Sequence, residues 1–109
     1  MTKIYIAHPF GGQQENSDRV QDIIIDLVKR HPQSTYISPI HMFGYLYDEV
    51  SYEQGMSWCL NMLNTCDCLV LASDEWINSR GCNMEVDFAK DKGIVILTLD
   101  EFKEVLDLL

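Results

Sequence analysis

The sequence is short of positive charge. Eight Lys and Arg residues stand against seventeen Asp and Glu, a formal net charge of −9. Long-range steering of such a chain toward nucleic acid or an anionic membrane surface is repulsive, so no nucleic-acid partner and no membrane partner is expected. Long hydrophobic runs are missing as well, and none would cross a bilayer. The first residues, Met1-Thr2-Lys3-Ile4-Tyr5-Ile6-Ala7, contain no apolar region of signal-peptide length and run straight into a strand-like pattern. An intracellular, soluble, cytoplasmic protein is expected. The four cysteines, Cys59, Cys66, Cys68 and Cys82, form no paired C-x-x-C sites, and the histidines offer no zinc spacing. The plain reading is buried free thiols, with no metal and no cofactor. GxGxxG and GxxxxGK[ST] are absent, as are internal repeats and low-complexity tracts.

What is present is ordinary globular composition. The chain has 109 residues, 47% hydrophobic and 23% charged, enough for one domain over residues 1–109 with one modest core. Lys3 to Ala7 is a β-rich run, broken by His8-Pro9-Phe10-Gly11-Gly12. From about Gln13 to His31, Val20, Ile23, Ile24, Leu27 and Val28 follow the spacing of an amphipathic helix, stopped by Pro32. Thr35 to Ser38 is a short second strand closed by Pro39. Ile40 to Asp48 is an aromatic loop without a clean period. A second helix from about Tyr52 to Thr65 carries a stripe of Tyr52, Met56, Cys59, Leu60 and Leu63. Asp67 to Ala72 is a strand apolar on both faces, and Ser73 to Ile77 a loop. A third helix runs from about Ser79 to Lys92, stopped at Gly93. Ile94 to Leu97 is a fourth buried strand, and Asp100 caps a last helix reaching Leu109.

The alternation β-α-β-α-β-α-β-α predicts a three-layer α/β sandwich, flavodoxin- or Rossmann-like, with a four-stranded parallel sheet in the order 2-1-3-4. Its switch point falls between the first and third strands, and ligands bind at such a point over the carboxyl ends of the strands. Three segments converge there: His8 to Gly12, Ser73 to Ile77, and the start of the third helix.

That third helix holds one misplaced residue. With roughly 100° per residue, Gly81, Cys82, Phe88 and Ala89 cluster around Glu85, while Arg80, Asn83, Asp87, Lys90 and Asp91 lie opposite. An acid occupies the centre of the apolar arc, where an ionised group needs partners or a shifted pKa. A carboxylate in a half-buried crevice suits attack on a carbon with oxocarbenium character, as in glycosyl transfer. A satisfied structural Glu, bonded to Tyr5 or to backbone, is the alternative. Tyr5 on the first strand is a candidate orienter for Glu85. The Gly11-Gly12 turn can hold an anion on backbone N–H groups or serve merely as a turn. Ser79 caps the helix or donates to a ligand oxygen.

Ile4-Tyr5-Ile6-Ala7-His8-Pro9-Phe10, Ser38-Pro39-Ile40, Cys66 to Leu71, Trp76, and Ser79-Arg80-Gly81 followed by Glu85 and Ala89 resemble the nucleoside 2-deoxyribosyltransferase-like superfamily, closest to its small DUF4406 branch. The resemblance extends to Leu97, and Ser-x-Gly-x-x-x-Glu is its most specific part. It implies that Glu85 attacks the anomeric carbon and that Tyr5 positions it. It also implies that the region of Gly11, Gly12 and Ser79 holds a 5′-phosphate. The matched segments add Pro9, Phe10, Trp76 and Gly81 to the substrate side, and Asp74 lies in the same converging loop. A dimer or higher homo-oligomer is implied, with the loop Met42 to Tyr47 suited to the contact. Two positions depart from the pattern. Cys59 stands where the family often has an Asp that binds sugar or assists the leaving base. His8 replaces a glycine and puts a titratable ring at the site mouth. Asp48, Asp74 and Glu75 are candidates for the missing acid.

The leading expectation is hydrolysis or transfer at the N-glycosidic bond of a nucleoside or nucleoside 5′-monophosphate. Two rivals stand beside it: a non-catalytic nucleotide-binding module of the same fold, and a partner-binding protein in which Glu85 is structural.

Overall fold

The structure, a computed structural model, describes residues 2–109; Met1, the first residue of the expected domain, lies outside the described residues. Four strands, β1 (Lys3–Ala7), β2 (Thr35–Ile37), β3 (Cys68–Leu71) and β4 (Val95–Thr98), form one sheet in the order β2-β1-β3-β4. All three pairings are parallel, with Tyr5 opposite Ile37 on one side and Leu69 on the other. Five helices surround the sheet: α1 (Gln14–Arg30), α2 (Pro39–Phe43), α3 (Tyr52–Leu63), α4 (Arg80–Lys92) and α5 (Leu99–Asp107). The expected strand order and three-layer arrangement are observed.

Strand alternation divides the core into two layers. Ile4, Ile6, Cys68 and Val70 point to one face and meet Val20 and Leu27 of α1 and Phe102 of α5. Tyr5, Ala7, Leu69 and Leu71 point to the other and meet Leu63 of α3 with Cys82, Val86 and Ala89 of α4. Tyr5 is fully buried, so this face receives a hydroxyl as well as apolar surface.

Several local expectations are corrected. The stretch after β2 is not a plain loop. Ser38 accepts a bond from the His41 N–H at 3.2 Å and Pro39 opens the five-residue α2, followed by a 3-10 turn at Gly44–Leu46. Five residues are too few to display a helical period. The loop after β3 is likewise a 3-10 turn, Asp74–Asn78. β4 is an edge strand rather than a buried one, with Val95 56% exposed; an apolar run alone does not say which side a neighbour covers. The cap of the last helix lies two residues earlier than expected. Thr98, not Asp100, is its cap, in a reciprocal capping box with Glu101.

Two glycines separate conformational from steric effects. Gly93 ends α4 at φ +70° with open space where a Cβ would go, and Gly55 lies inside α3, also with open space. Gly93→Ala forces a left-handed conformation on an L residue and costs about 1 kcal/mol. Gly55→Ala gains about 0.5–1 kcal/mol from helix propensity. Urea unfolding of the two variants checks the opposite signs.

Candidate active site

A cavity of about 560 Å³ opens beyond the carboxyl ends of β1 and β2 and beside the start of α4, and of the turn after β3 only Glu75 and Asn78 reach it; its volume is within the usual range of about 300–1,000 Å³ for small-molecule sites. Four segments wall it. His8 to Gly11 follow β1, and Phe43 and Tyr47 come from the α2 region. Tyr52, Met56, Trp58 and Cys59 come from α3, and Ser79 to Cys82 with Glu85 from the start of α4.

Local chemistry fixes each wall. Ser79 caps α4 by accepting from the Cys82 N–H at 3.2 Å. The Asn83 side-chain amide donates to the carbonyls of Ile77 and Ser79 at 2.9 and 2.8 Å, tying the preceding 3-10 turn to the helix. Gly11 and Gly12 take φ values of +58° and +74°, which glycine adopts at little cost. A Cβ on Gly12 would also lie 3.1 Å from the Tyr47 ring. Tyr47 in turn meets Phe10 edge-on at 5.2 Å between centroids, and Phe43 meets Trp58 at 5.8 Å. The aromatic loop is therefore largely spent within its own chain, roofing the cavity, although Tyr45 stays 79% exposed.

Glu85 is 5% exposed and lies on the cavity wall. The Tyr5 hydroxyl donates a hydrogen bond to its Oε2. Burial pushes the Glu85 carboxyl up from 4.5 to about 7, and the bond from Tyr5 works in the opposite direction. The Tyr5 phenol is itself raised, first by burial and then by the charge of Glu85, so it remains a donor. The Cys59 thiol neighbours both groups and is pushed up to about 11 by burial and by Glu85; it is a protonated thiol, not an anion. His8 pairs through Nδ1 with the Pro9 carbonyl oxygen at 2.7 Å, and burial lowers its pKa, which keeps the ring neutral.

The structure brings together Tyr5, Cys59 and Glu85, and around them His8, Pro9, Phe10, Gly11, Ser79 and Gly81. It does not bring in three others. Gly12 packs beneath Tyr47. Trp76 turns back into the core layer of Tyr5, Cys82 and Val86. Asp74 lines a separate shallow depression with Arg19 and Asp22. Asp48 is also absent from the cavity wall, whereas Glu75 reaches it, its carboxylate accepting from the Asn78 amide at 3.0 Å.

The sequence does not single out Tyr52, and it leaves Arg80 between a solvated side chain and a phosphate contact. Tyr52 belongs to an apolar stripe by spacing, yet Tyr52, Met56 and Cys59 all face the cavity. Arg80 falls on the polar side of its helix, but its guanidinium lies 4.6 Å over the Tyr52 ring and 3.6 Å from Glu53 at the cavity edge. Among the described residues no cluster of three or more His, Cys, Asp or Glu is placed to hold a metal ion, and no helix is long and apolar enough to cross a membrane.

The family described as a domain of unknown function, DUF4406, matches residues 2–98. The chain belongs to the DUF4406 family. No curated protein matches this DUF4406 chain in sequence. Among solved structures it is similar to a 2-desoxiribosyltransferase from Leishmania mexicana, with a TM-score of 0.66 and 19% identity over 90% of this chain and 63% of the other. The DUF4406 chain thus shares the fold and spans less than two thirds of that protein's length. Family and fold both agree with the superfamily resemblance drawn from the sequence motifs.

The buried carboxyl has a thermodynamic signature. Its folded-state pKa is raised above the unfolded value, so the folded state holds a proton that the unfolded state releases. Stability attributable to Glu85 is therefore highest below pH 4.5 and falls as pH rises to about 7. Relative to Glu85→Gln, the wild type loses on the order of 3 kcal/mol across that window. Urea midpoints at a series of pH values measure the difference, and a flat difference would contradict the assigned environment.

Proposed function

We propose that the protein cleaves or transfers at the N-glycosidic bond of a nucleoside or nucleoside 5′-monophosphate, with Glu85 as the nucleophile. The observation that carries this reading is a buried carboxyl on the wall of an aromatic cavity, with one oxygen held by the Tyr5 hydroxyl. The other oxygen is then free to attack C1′. The aromatic walls suit a nucleobase: Phe10, Phe43 and Trp58 offer ring faces and edges. Gly11 and Ser79 suit the sugar and its 5′ substituent. The shared fold with a 2-desoxiribosyltransferase supports the same class of chemistry.

In this mechanism ionised Glu85 forms a covalent glycosyl-enzyme as the base departs, and water or a second base resolves it. Tyr5 acts as a positioning residue: it fixes the carboxylate and moderates its pKa. A homo-oligomer in the cytoplasm belongs to the same reading, with exposed Tyr45 and Met42 available for contact.

A second reading is favoured by one observation, the protonated Cys59 thiol where a carboxyl would assist the leaving base. It is a nucleotide-binding module without turnover. Base release or exchange across nucleosides and 5′-monophosphates separates the two. Under the leading proposal, Glu85→Ala loses activity on the order of 10⁴-fold; unchanged activity in that variant overturns it. Ligand-induced thermal stabilisation with no turnover favours the module.

The pH profile gives an independent check. Because the ionised carboxyl attacks, kcat/KM rises through about pH 7. Tyr5→Phe removes the bond that lowers the Glu85 pKa, so the acid limb moves to higher pH. A limb that stays in place contradicts the role given to Tyr5.

A further inference from the structure

The mechanism leaves one task unassigned, because a departing base needs a proton. We propose that the Tyr52 hydroxyl supplies it, with the Arg80 guanidinium supporting the phenol from the face of its ring. The inference rests on Glu85 being the nucleophile.

The argument starts from α4. Gly81 and Glu85 are four residues apart, so their Cβ positions lie on one face about 5–6 Å from each other. A Cβ built on Gly81 would stand 2.9 Å from the Tyr52 hydroxyl oxygen. That hydroxyl therefore occupies the space a side chain at Gly81 would take, one helical turn from the carboxylate and on the same cavity wall. Besides burial, Glu85 is among the charges that raise the Tyr52 phenol, so acid and phenol stand on one cavity wall within electrostatic reach of each other. Gly81 has the one side chain small enough to admit the phenol.

The other titratable groups of the wall are less suited. His8 is held neutral by burial and bonded to the Pro9 carbonyl. The thiols of Cys59 and Cys82 have the Glu85 carboxylate rather than a cation beside them, which adds to the effect of burial in holding their protons. The Glu75 carboxylate is taken by Asn78. Tyr47 packs against Phe10 and Gly12. Tyr52 is raised chiefly by burial, while Arg80 pulls in the other direction, so it rests protonated beside a cation that favours the phenolate.

The step balances without a further reagent. A Glu85 oxygen forms a bond to C1′ and the C1′–N bond breaks, its electron pair passing into the base. The phenolic proton of Tyr52 goes to a base nitrogen, and the phenolate is left under Arg80. Water then attacks C1′ and gives a proton to the phenolate, while the bond to Glu85 breaks and its electron pair returns to the carboxylate. When a second base is the acceptor, its N–H takes the place of water.

The test compares Tyr52→Phe, which keeps the ring under Arg80, with wild type on two substrate pairs, as nucleosides and 5′-monophosphates. One pair is 2′-deoxyguanosine and 7-methyl-2′-deoxyguanosine; the other is 2′-deoxyuridine and 5-fluoro-2′-deoxyuridine. The second member of each pair has the better leaving group, and the methylated guanine leaves with no proton added. Tyr52→Phe should lower kcat on the parent nucleosides by about 10²–10⁴-fold, with KM little changed and the basic limb of the pH profile abolished. The loss on 7-methyl-2′-deoxyguanosine should shrink to less than about tenfold, which also reports that the variant is folded. Equal losses on both members of a pair, or full activity on the parents, overturn the inference while leaving Glu85 in place. Failure of the nucleophile reading appears separately, as Glu85→Ala retaining cleavage or wild type cleaving no substrate, and the role of Tyr52 falls with it.

Discussion

A carboxyl group removed from water is the constraint on which the rest of this molecule turns. Glu85 lies in the apolar layer between the sheet and α4, and its principal compensation is one hydrogen bond from Tyr5. That bond links the central strand to the helix carrying the acid. It requires Tyr5 to point toward α4, which strand alternation delivers only because Ile4 and Ile6 fill the opposite layer. A slip of one residue in β1 would turn the hydroxyl away and place Ile against the carboxyl. The register of the sheet and the chemistry of the site are thus held by the same contacts.

The parts of this arrangement with a strong period were legible beforehand. Short apolar strands alternating with amphipathic helices led to the parallel sheet and its order. The misfit of Glu85 on its helix led to the site, because a wheel resolves direction around an axis. What a wheel lacks is the neighbour. Arg80 faces away from the core, and only the packing of α3 beside α4 reveals that a tyrosine ring lies beneath its guanidinium. Tyr52 belongs to an apolar stripe that looks like core throughout, whereas the first turns of that stripe line a cavity.

Short, irregular pieces were not legible for a related reason. α2 and the 3-10 turns are set by single caps such as Ser38 and Ser73 rather than by repetition. The turn after β3 sends Trp76 inward and Asp74 to the far side of His8. Residues adjacent in sequence thus part company within a few positions. A motif assigns Trp76 to the site and its loop assigns Asp74 there, and neither spacing nor loop membership distinguishes two sides of one turn.

The roof of the cavity is joined to the rest through ring contacts: Phe43 on Trp58 and Tyr47 on Phe10. It comes from residues 39–58, whereas the carboxyl and its partner come from β1 and α4. The buried carboxyl and its partner are therefore encoded on different stretches of chain from most of the rings that roof the cavity. Because the roof lies outside the sheet, its rings can be exchanged for others of similar volume with the register of β1 intact. A lineage built on this plan is free to drift in the shape of its cavity while conserving the carboxyl beneath it.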